Sequence, residues 1–352
     1  MTDTTSPTGS GLADRAAEGT ALPKTGTTME NVFSGDEAKK APAAAGNVVG
    51  STLAALADEG HDIVVVSADM GGAVGELRAR HPGRYFDFGI AETNTMSAAA
   101  GLAASGITSF VLAMGPFGIL KCAEQIRTDL ASTHLPVRII ARSSGLAMGF
   151  FGTSHHAVED IAIARSITGM TIAAPADNNA VEGVIRSTLD HRGPVYIRMS
   201  APSLPGAEAV VYPEVPVFER GKFVTVRPGS DLTVIAVGNM VQASLVAAEQ
   251  LAGEGISLNV IDAVYLKPLD EEAIVAAAGT TGRILTVEEH NEVGGLGSAV
   301  AEVIARRRLG AAIDVFALPD EDLKVALPGV LLPYYNLTPS GIADRARTLL
   351  EA

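Results

Sequence analysis

A chain of 352 residues that is 47% hydrophobic, only 5% aromatic and free of Trp has room for roughly two domains of ordinary size, and its wealth of Ala, Val, Ile and Gly suits strands buried on both faces by small-residue helices, an α/β class. A net charge of −14, from 40 acidic and 26 basic residues, excludes a phosphate-backbone partner, which needs clustered Lys and Arg. The single Cys122 excludes an internal disulfide and a thiolate metal set, and fits a reducing cytoplasm.

Residues 1 to about 40 are rich in Thr, Gly, Ala and Pro and lack an apolar run of signal-peptide type. They read as a flexible tail, or as an extension that orders only on a partner. From Asn47 an amphipathic helix leads to Gly60, and Asp62–Ser67, DIVVVS, is a β-branched run suited to a buried parallel strand. After Asp69 and a Gly71-Gly72 turn the pattern alternates: strand Tyr85–Ile90, helix Glu92–Ala104, strand Ile107–Ala113, helix Phe117–Ser132, strand Val137–Arg142. A long loop, Ser143–Asp160, precedes a helix from Ala157, strand Thr171–Ala174, helix Asn178–Asp190 and strand Val195–Arg198, which complete one doubly wound layer. Ser200–Val217, with four prolines, is a linker. The alternation then resumes with strand Leu232–Val237, helix Val241–Gly253, strands Ser257–Ile261 and Arg283–Val287, a glycine-rich turn into GGLGSAVAEVIARR and a last helix from Ser340. The expected plan is two doubly wound α/β domains: a tail over 1–40, a first domain over 41–200, a linker over 201–220 and a second domain over 221–352.

One carboxylate stands out. From Thr93 to Leu120 no side chain is charged, so Glu92 sits at the edge of a dry region that disfavours its ionised form and pushes its pKa up. Such a group suits a proton relay near neutral pH, although a helix-start acid stabilised by the macrodipole explains the same position. The uncharged run is long enough to be tested as a membrane span. It fails, because Asn94, the Ser105-Gly106 turn and Pro116 break it into helix, turn and strand.

His155 and His156 lie in the long loop, at the expected carboxyl end of a strand, where open α/β sheets bind ligands. Adjacent histidines without a third ligand at helical spacing make a poor metal site; locally satisfied loop histidines, or a donor to a substrate oxygen, remain. Gly294, Gly295 and Gly297 open a helix, but Val300 breaks the G-x-G-x-x-G spacing. Close packing, or an anion at the helix N-terminus, explains them better than a dinucleotide. Neither a P-loop nor a G-x-S-x-G elbow occurs.

Taken together, DFGIAETNTMSAAAGLAASG, FVLAMGPFGILKCAEQIR, GTSHHAVEDIAIARSITGMTIAAPADNNAV and GPVYIRMS resemble the pyrimidine-binding domain of transketolases. DLTVIAVGNMV, IDAVYLKPLD and VEEHNEVGGLGSAV resemble their C-terminal domain. The resemblance spans residues 45 to 350 and lacks the family's diphosphate-binding domain with its Gly-Asp-Gly motif. It therefore implies the second subunit of a split transketolase, with a separate N-terminal diphosphate-binding subunit as partner in an α2β2 assembly, thiamine diphosphate as cofactor and Mg2+ or a similar divalent ion held by that partner. It further implies transfer of a two-carbon ketol unit. Glu92 matches the glutamate that hydrogen-bonds the cofactor's aminopyrimidine, Phe117 the aromatic that stacks on that ring, and His155 the histidine that binds the donor's oxygens. His156 falls where a glutamine is usual, and Asp69 at an acidic position near the cofactor. The β subunit of a 2-oxo-acid dehydrogenase E1 component shares this architecture and is the rival reading; a non-catalytic scaffold is a second.

The resemblance also has gaps. Transketolases grip a sugar phosphate with an arginine before the first helix, a serine after the SAD turn, a histidine early in the long loop and an arginine after the GPVY strand. Those positions fall near Pro42 or Ala43, at Ala73, at Ser143 and at Ala201, so both guanidinium groups are gone. Each charge-assisted bond is worth about 1.5–3 kcal/mol, and Arg142, Arg198 or residues of the partner are left to take over the phosphate. Phe151 stands where an aspartate usually reads a sugar hydroxyl. The departure implies at least one substrate that is less charged, bulkier or carrier-bound rather than a standard pentose or hexose phosphate.

Overall fold

The computed structural model describes residues 44–200 and 210–351; the expected tail, Pro42, Ala43 and Ala201 lie outside the described residues. Six parallel strands carry the first half: β1 (Ile63–Ser67), β2 (Tyr85–Asp87), β3 (Thr108–Met114), β4 (Val137–Ser144), β5 (Thr171–Ala173) and β6 (Val195–Ser200), in the order β5-β6-β4-β3-β1-β2. The continuous apolar run of β1 follows from burial on both faces. Val64 and Val66 join a core with Met96, Ala99 and Ala103 of helix Glu92–Ala104, while Ile63 and Val65 join the opposite core with Val49, Leu53 and Leu56 of helix Ala44–Asp58. Each such side chain contributes about 1.5–3 kcal/mol when fully buried.

The second half forms a five-stranded sheet from β7 (Val224–Arg227), β8 (Leu232–Ala236), β9 (Leu258–Asp262), β11 (Arg283–Asn291) and β12 (Ala312–Leu318), ordered β12-β11-β8-β9-β7 with β7 antiparallel. The intervening β10 (Tyr265–Lys267) leaves its own half and pairs antiparallel with β5 of the first sheet. Lys267 Nζ secures that crossing by donating to the carbonyls of Arg165 and Ile167 at 2.7 and 2.6 Å. Both sheets thus belong to one packed unit that starts at Ala44.

Several elements differ from the expected ones, for local reasons. The strand expected over Tyr85–Ile90 stops at Asp87, whose carboxylate accepts the Gly89 N–H at 2.9 Å while Gly89 turns the chain at φ 68°. The helix expected over Phe117–Ser132 is three pieces, Gly115–Ile119, Ala123–Gln125 and a π turn over Ile126–Ala131. The helix expected from Ala157 begins at Asp160, because Ala157 is held in a bridge to Gly145. β11 runs on through Glu288, Glu289 and His290, where charge ends a strand in the sequence pattern but not in the fold. Strands β7, β10 and β12 and helices Glu271–Thr280 and Pro328–Tyr334 were not foreseen in the sequence.

Candidate active site

Asp69, Glu92, Phe117 and His155 each follow the carboxyl end of one of the strands β1 to β4, the edge at which an open α/β sheet binds ligands. There the turn after β2 delivers Glu92 to the first position of helix Glu92–Ala104, 5% exposed. The surroundings of Glu92 correct the expectation of a carboxylate without charge nearby. Lys121, one residue beyond the uncharged run, reaches back and donates to Glu92 Oε2 at 2.6 Å. Next to it Cys122 is buried, and burial, followed by the negative charge of Glu92, pushes its thiol up to about 12. At neutral pH that thiol is protonated and no nucleophile.

The turn that sets Glu92 is braced by Asp87, which accepts from the Tyr85 hydroxyl at 2.7 Å, from the Gly89 N–H and from the Asp69 N–H at 3.1 Å. Burial acts to raise the Asp87 pKa, but these three donors outweigh it and hold the carboxyl below its ordinary value. Asp69 enters the site through its backbone, in the left-handed region at φ 58°, and its side chain is exposed. Around the turn Phe86, Phe88 and Leu120 are exposed, and Ile90 is 77% exposed.

One side of the site is aromatic. Phe117 and His155 meet edge to face at 5.2 Å and 84°, so two residues far apart in the chain that the sequence singled out are brought together. His155 also lies over Phe151 at 4.6 Å, and Phe151 over Phe150 at 4.5 Å. Phe151 is 44% exposed, which leaves a flat apolar surface at the entrance. His155 Nδ1 bonds to Ser154 Oγ at 2.9 Å, leaving Nε2 without a hydrogen-bond partner among the described residues. His156 diverges from it: 4% exposed, it bonds through Nε2 to the Gly149 carbonyl at 3.3 Å, and burial holds its pKa below the ordinary value. Among the described residues no group of three or more His, Cys, Asp or Glu side chains could hold a metal ion.

The loop bearing Phe150, Phe151 and His155 is held at its base by the second half of the chain. Gly145 and Ala157 exchange two backbone bonds of 2.9 and 3.0 Å. Glu289, on β11, accepts from the Leu146 N–H at 2.7 Å through Oε1 and from Asn239 Nδ2 at 2.8 Å through Oε2. A Cβ at Gly145 would collide with that carboxylate, so the position requires glycine on contact as well as on its φ of 67°. Arg198 corrects a further expectation: 1% exposed, it donates from Nε to Asp160 Oδ2 at 2.8 Å and from Nη2 to the carbonyls of Glu289 and Ala157. It is a structural tie and is not free to bind phosphate. Glu288 accepts the Leu296 and Gly297 N–H groups, both at 2.7 Å, so the place expected for an anion at the glycine-rich helix start is filled by the chain's own carboxyl group. Neither Glu288 nor Glu289 was singled out from sequence.

Both halves of the fold are shared with known proteins. The pyrimidine binding domain of transketolase matches residues 41–206, and the transketolase C-terminal domain matches residues 221–342. An apulose-4-phosphate transketolase subunit from Phocaeicola vulgatus is 36% identical over 84% of this chain and 94% of its own length. A 6-deoxy-6-sulfo-D-fructose transketolase subunit from a Clostridium species is 35% identical over 82% of this chain and 89% of its own length. The chain spans about half the length of matched 1-deoxy-D-xylulose-5-phosphate synthases, such as that of Geobacter sulfurreducens, at 36% identity, 86% of this chain and 48% of the relative. Among solved structures, a split-gene transketolase described as an inactive β4 tetramer superposes with a TM-score of 0.80 at 33% identity, covering 88% of this chain and 98% of that one.

Proposed function

The chain belongs to the transketolase family, and from that premise we propose that it is the β subunit of a two-subunit, thiamine-diphosphate-dependent transketolase that moves a two-carbon ketol unit from a ketose to an acceptor. The observation that carries this reading is a chain of contacts: the buried Glu92 carboxylate accepts from Lys121, the adjacent Cys122 thiol donates to the Phe117 carbonyl, and the Phe117 ring meets His155. The residues fit the cofactor's pyrimidine. Glu92 Oε2 already accepts a cationic N–H donor, from Lys121, and Phe117 is a half-buried ring. The divalent ion and the diphosphate we assign to the N-terminal partner in an α2β2 assembly. The pyrimidine-binding domain is placed over residues 41–200 and the C-terminal domain over 221–352, with 1–40 and 201–220 as tail and linker.

When bound, thiamine diphosphate supplies the carbanion that attacks the ketose carbonyl. Glu92 holds a proton at the aminopyrimidine nitrogen, and its burial makes that hydrogen bond strong. Phe117 fixes the plane of the ring and excludes water from its face. Lys121 must release Glu92 for this contact, and its half-exposed side chain leaves it free to swing into solvent. His155 donates through Nε2 to a substrate oxygen, with Ser154 setting the ring's orientation. Asp69 shapes the site through its turn. Phe150 and Phe151 favour a substrate that is bulkier or less hydroxylated at the entrance than a pentose or hexose phosphate.

Co-expression with the diphosphate-binding subunit tests the reading. Thiamine-diphosphate binding and ketol transfer should appear only in the complex. Steady-state kinetics on xylulose 5-phosphate and ribose 5-phosphate test the substrate claim, and efficient turnover of that pair would refute it.

A further inference from the structure

The second half of the chain touches the His155 loop at a second place besides Glu289. Between β12 and helix Pro328–Tyr334, the segment from Lys324 to Ala326 comes up against that loop. Its path is fixed by the Lys324 N–H, which donates to the Tyr335 hydroxyl at 2.8 Å. A Cβ at Gly149 would collide with Leu331 of the helix and meet the Ala326 carbonyl at 3.1 Å, and one at Gly152 would lie 3.2 Å from Val325 Cγ2. Both glycines therefore let the segment rest directly on the loop backbone. Gly152 also closes the turn that carries His155, its carbonyl accepting the N–H groups of His155 at 2.9 Å and of His156 at 3.2 Å.

This contact does not use Val325 up. Its side chain is 54% exposed, and Phe151, the residue before Gly152, is 44% exposed. Phe151 in turn lies over Phe150 at 4.5 Å and over His155 at 4.6 Å. An apolar surface thus runs from the two phenylalanines across Gly152 to Val325, beside the histidine. None of these four residues has a polar side-chain group. A sugar hydroxyl laid against them would leave water without gaining a hydrogen bond, whereas an alkyl or aryl group would gain by withdrawing apolar surface from water.

We propose that Val325 and Phe151 together hold an alkyl or aryl group at the end of the acceptor remote from its carbonyl, which makes Val325, from the second half of the chain, a specificity-determining residue. The inference rests on the transketolase reading for calling the occupant a substrate, but not for the apolar site itself. The surface ends on His155, whose Nε2 has no hydrogen-bond partner among the described residues. One polar group at the edge of an apolar surface suits a small molecule that is oxygenated at one end and apolar at the other.

A binding experiment on the isolated chain tests the site without any turnover. With valine methyl groups labelled, the Val325 resonances, assigned by their loss in Val325→Thr, are followed while hexanol or erythritol is added. A saturable shift with hexanol at millimolar concentration is expected, with none from erythritol. No saturable shift with hexanol, or an equal one with erythritol, overturns the site. Phe151→Asp should abolish the hexanol shift, and its persistence overturns the pairing of the two residues. The response to hexanol should survive addition of the diphosphate-binding subunit; its loss would show that the subunit, not a substrate, covers Val325. Val325→Thr keeps the shape of an exposed side chain and should melt as the wild type does, so a clear loss of stability would show a structural role and overturn the proposal. In the active complex, Val325→Thr and Val325→Asp should lower the ratio of kcat/KM for hexanal to that for glycolaldehyde, the aspartate by on the order of 10-fold, mainly through KM for hexanal. An equal loss on both aldehydes overturns the assignment, whereas a wild-type complex inactive on every acceptor while the methyl resonance still shifts would fail the transketolase reading alone.

Discussion

A carboxylate at the first position of a helix is stabilised by the macrodipole whatever else it does, so the position of Glu92 alone says little about chemistry. What separates it from an ordinary helix-start acid is its burial beside a lysine 29 positions away. Glu92→Gln in the assembled enzyme is expected to lower kcat by about 10²–10⁴-fold, the worth of a positioned proton relay. Complex formation should be unchanged, so normal turnover would remove Glu92 from the mechanism. Lys121→Met should act the other way round. It leaves the buried carboxylate without its counter-charge, so the isolated chain should melt earlier, while the cofactor-loaded complex, in which the pyrimidine replaces the lysine, should lose less. A variant destabilised equally in both states would show that Lys121 never lets go. The sequence made Glu92 legible because the charge-free run from Thr93 to Leu120 isolates it. It hid the ion pair because Lys121 falls one residue outside that run and on a different element, a contact that only the fold creates.

At the scale of one element, β11 shows why half of the site's support was illegible. Glu288, Glu289 and His290 read as the end of a strand, yet all three are buried, because donors far away in the chain satisfy Glu289 and a helix N-terminus satisfies Glu288. Propensity and periodicity carry no trace of such partners. Glu289→Ala leaves the buried Leu146 N–H without its acceptor, at a cost of about 1–3 kcal/mol, and takes the acceptor from the half-buried Asn239 Nδ2 as well. The activity readout is specific: KM for the donor should rise more than kcat falls, as the His155 loop loses its anchor, and an unchanged KM would show that the Gly145–Ala157 bridge suffices. Glu288 gives a pH signature. Burial first, opposed by the two helix N–H donors, raises its pKa to about 7, well above the value of about 4.3 expected in the unfolded chain. The stability linked to it is full below about pH 4 and is lost as pH rises through 7. His290 works in the opposite sense: burial holds it near 4, so it is neutral at pH 7, its 3.9 Å contacts with Asp160 and Glu288 are not ion pairs there, and its contribution falls as pH drops from 6.5 toward 4. Glu288→Gln removes only the first of these two effects. Its stability relative to wild type should therefore improve by roughly 1–3 kcal/mol between pH 5 and pH 8, and a flat difference in denaturation across that range would refute the assignment.

For the whole molecule, the two doubly wound layers were legible because parallel strands buried on both faces read as apolar runs, as IVVVS of β1 and FVLAM of β3 do, even though β4 carries Arg138 and Arg142. The crossing of β10 into the first sheet was not, since three residues of strand carry no signal of which sheet they join. What the described chain leaves open is a patch of apolar side chains beside Glu92: Phe86, Phe88, Ile90 and Leu120, all exposed. On the two-subunit reading proposed above, these exposed apolar side chains are the surface the partner would cover. Ile90 offers the cleanest test, because at 77% exposed it contributes little to the fold. Ile90→Asp should leave the melting temperature of the isolated chain within the range of a neutral surface change, about 0.5 kcal/mol. In the complex the same change would bury a carboxylate against the partner, at a cost of several kcal/mol, so affinity for the diphosphate-binding subunit should fall at least about 100-fold. Activity should fall with it at limiting partner and return at high partner concentration, because Glu92, Phe117 and His155 are untouched. If Ile90→Asp associates with wild-type affinity, the patch is not the interface and the subunits meet on another face.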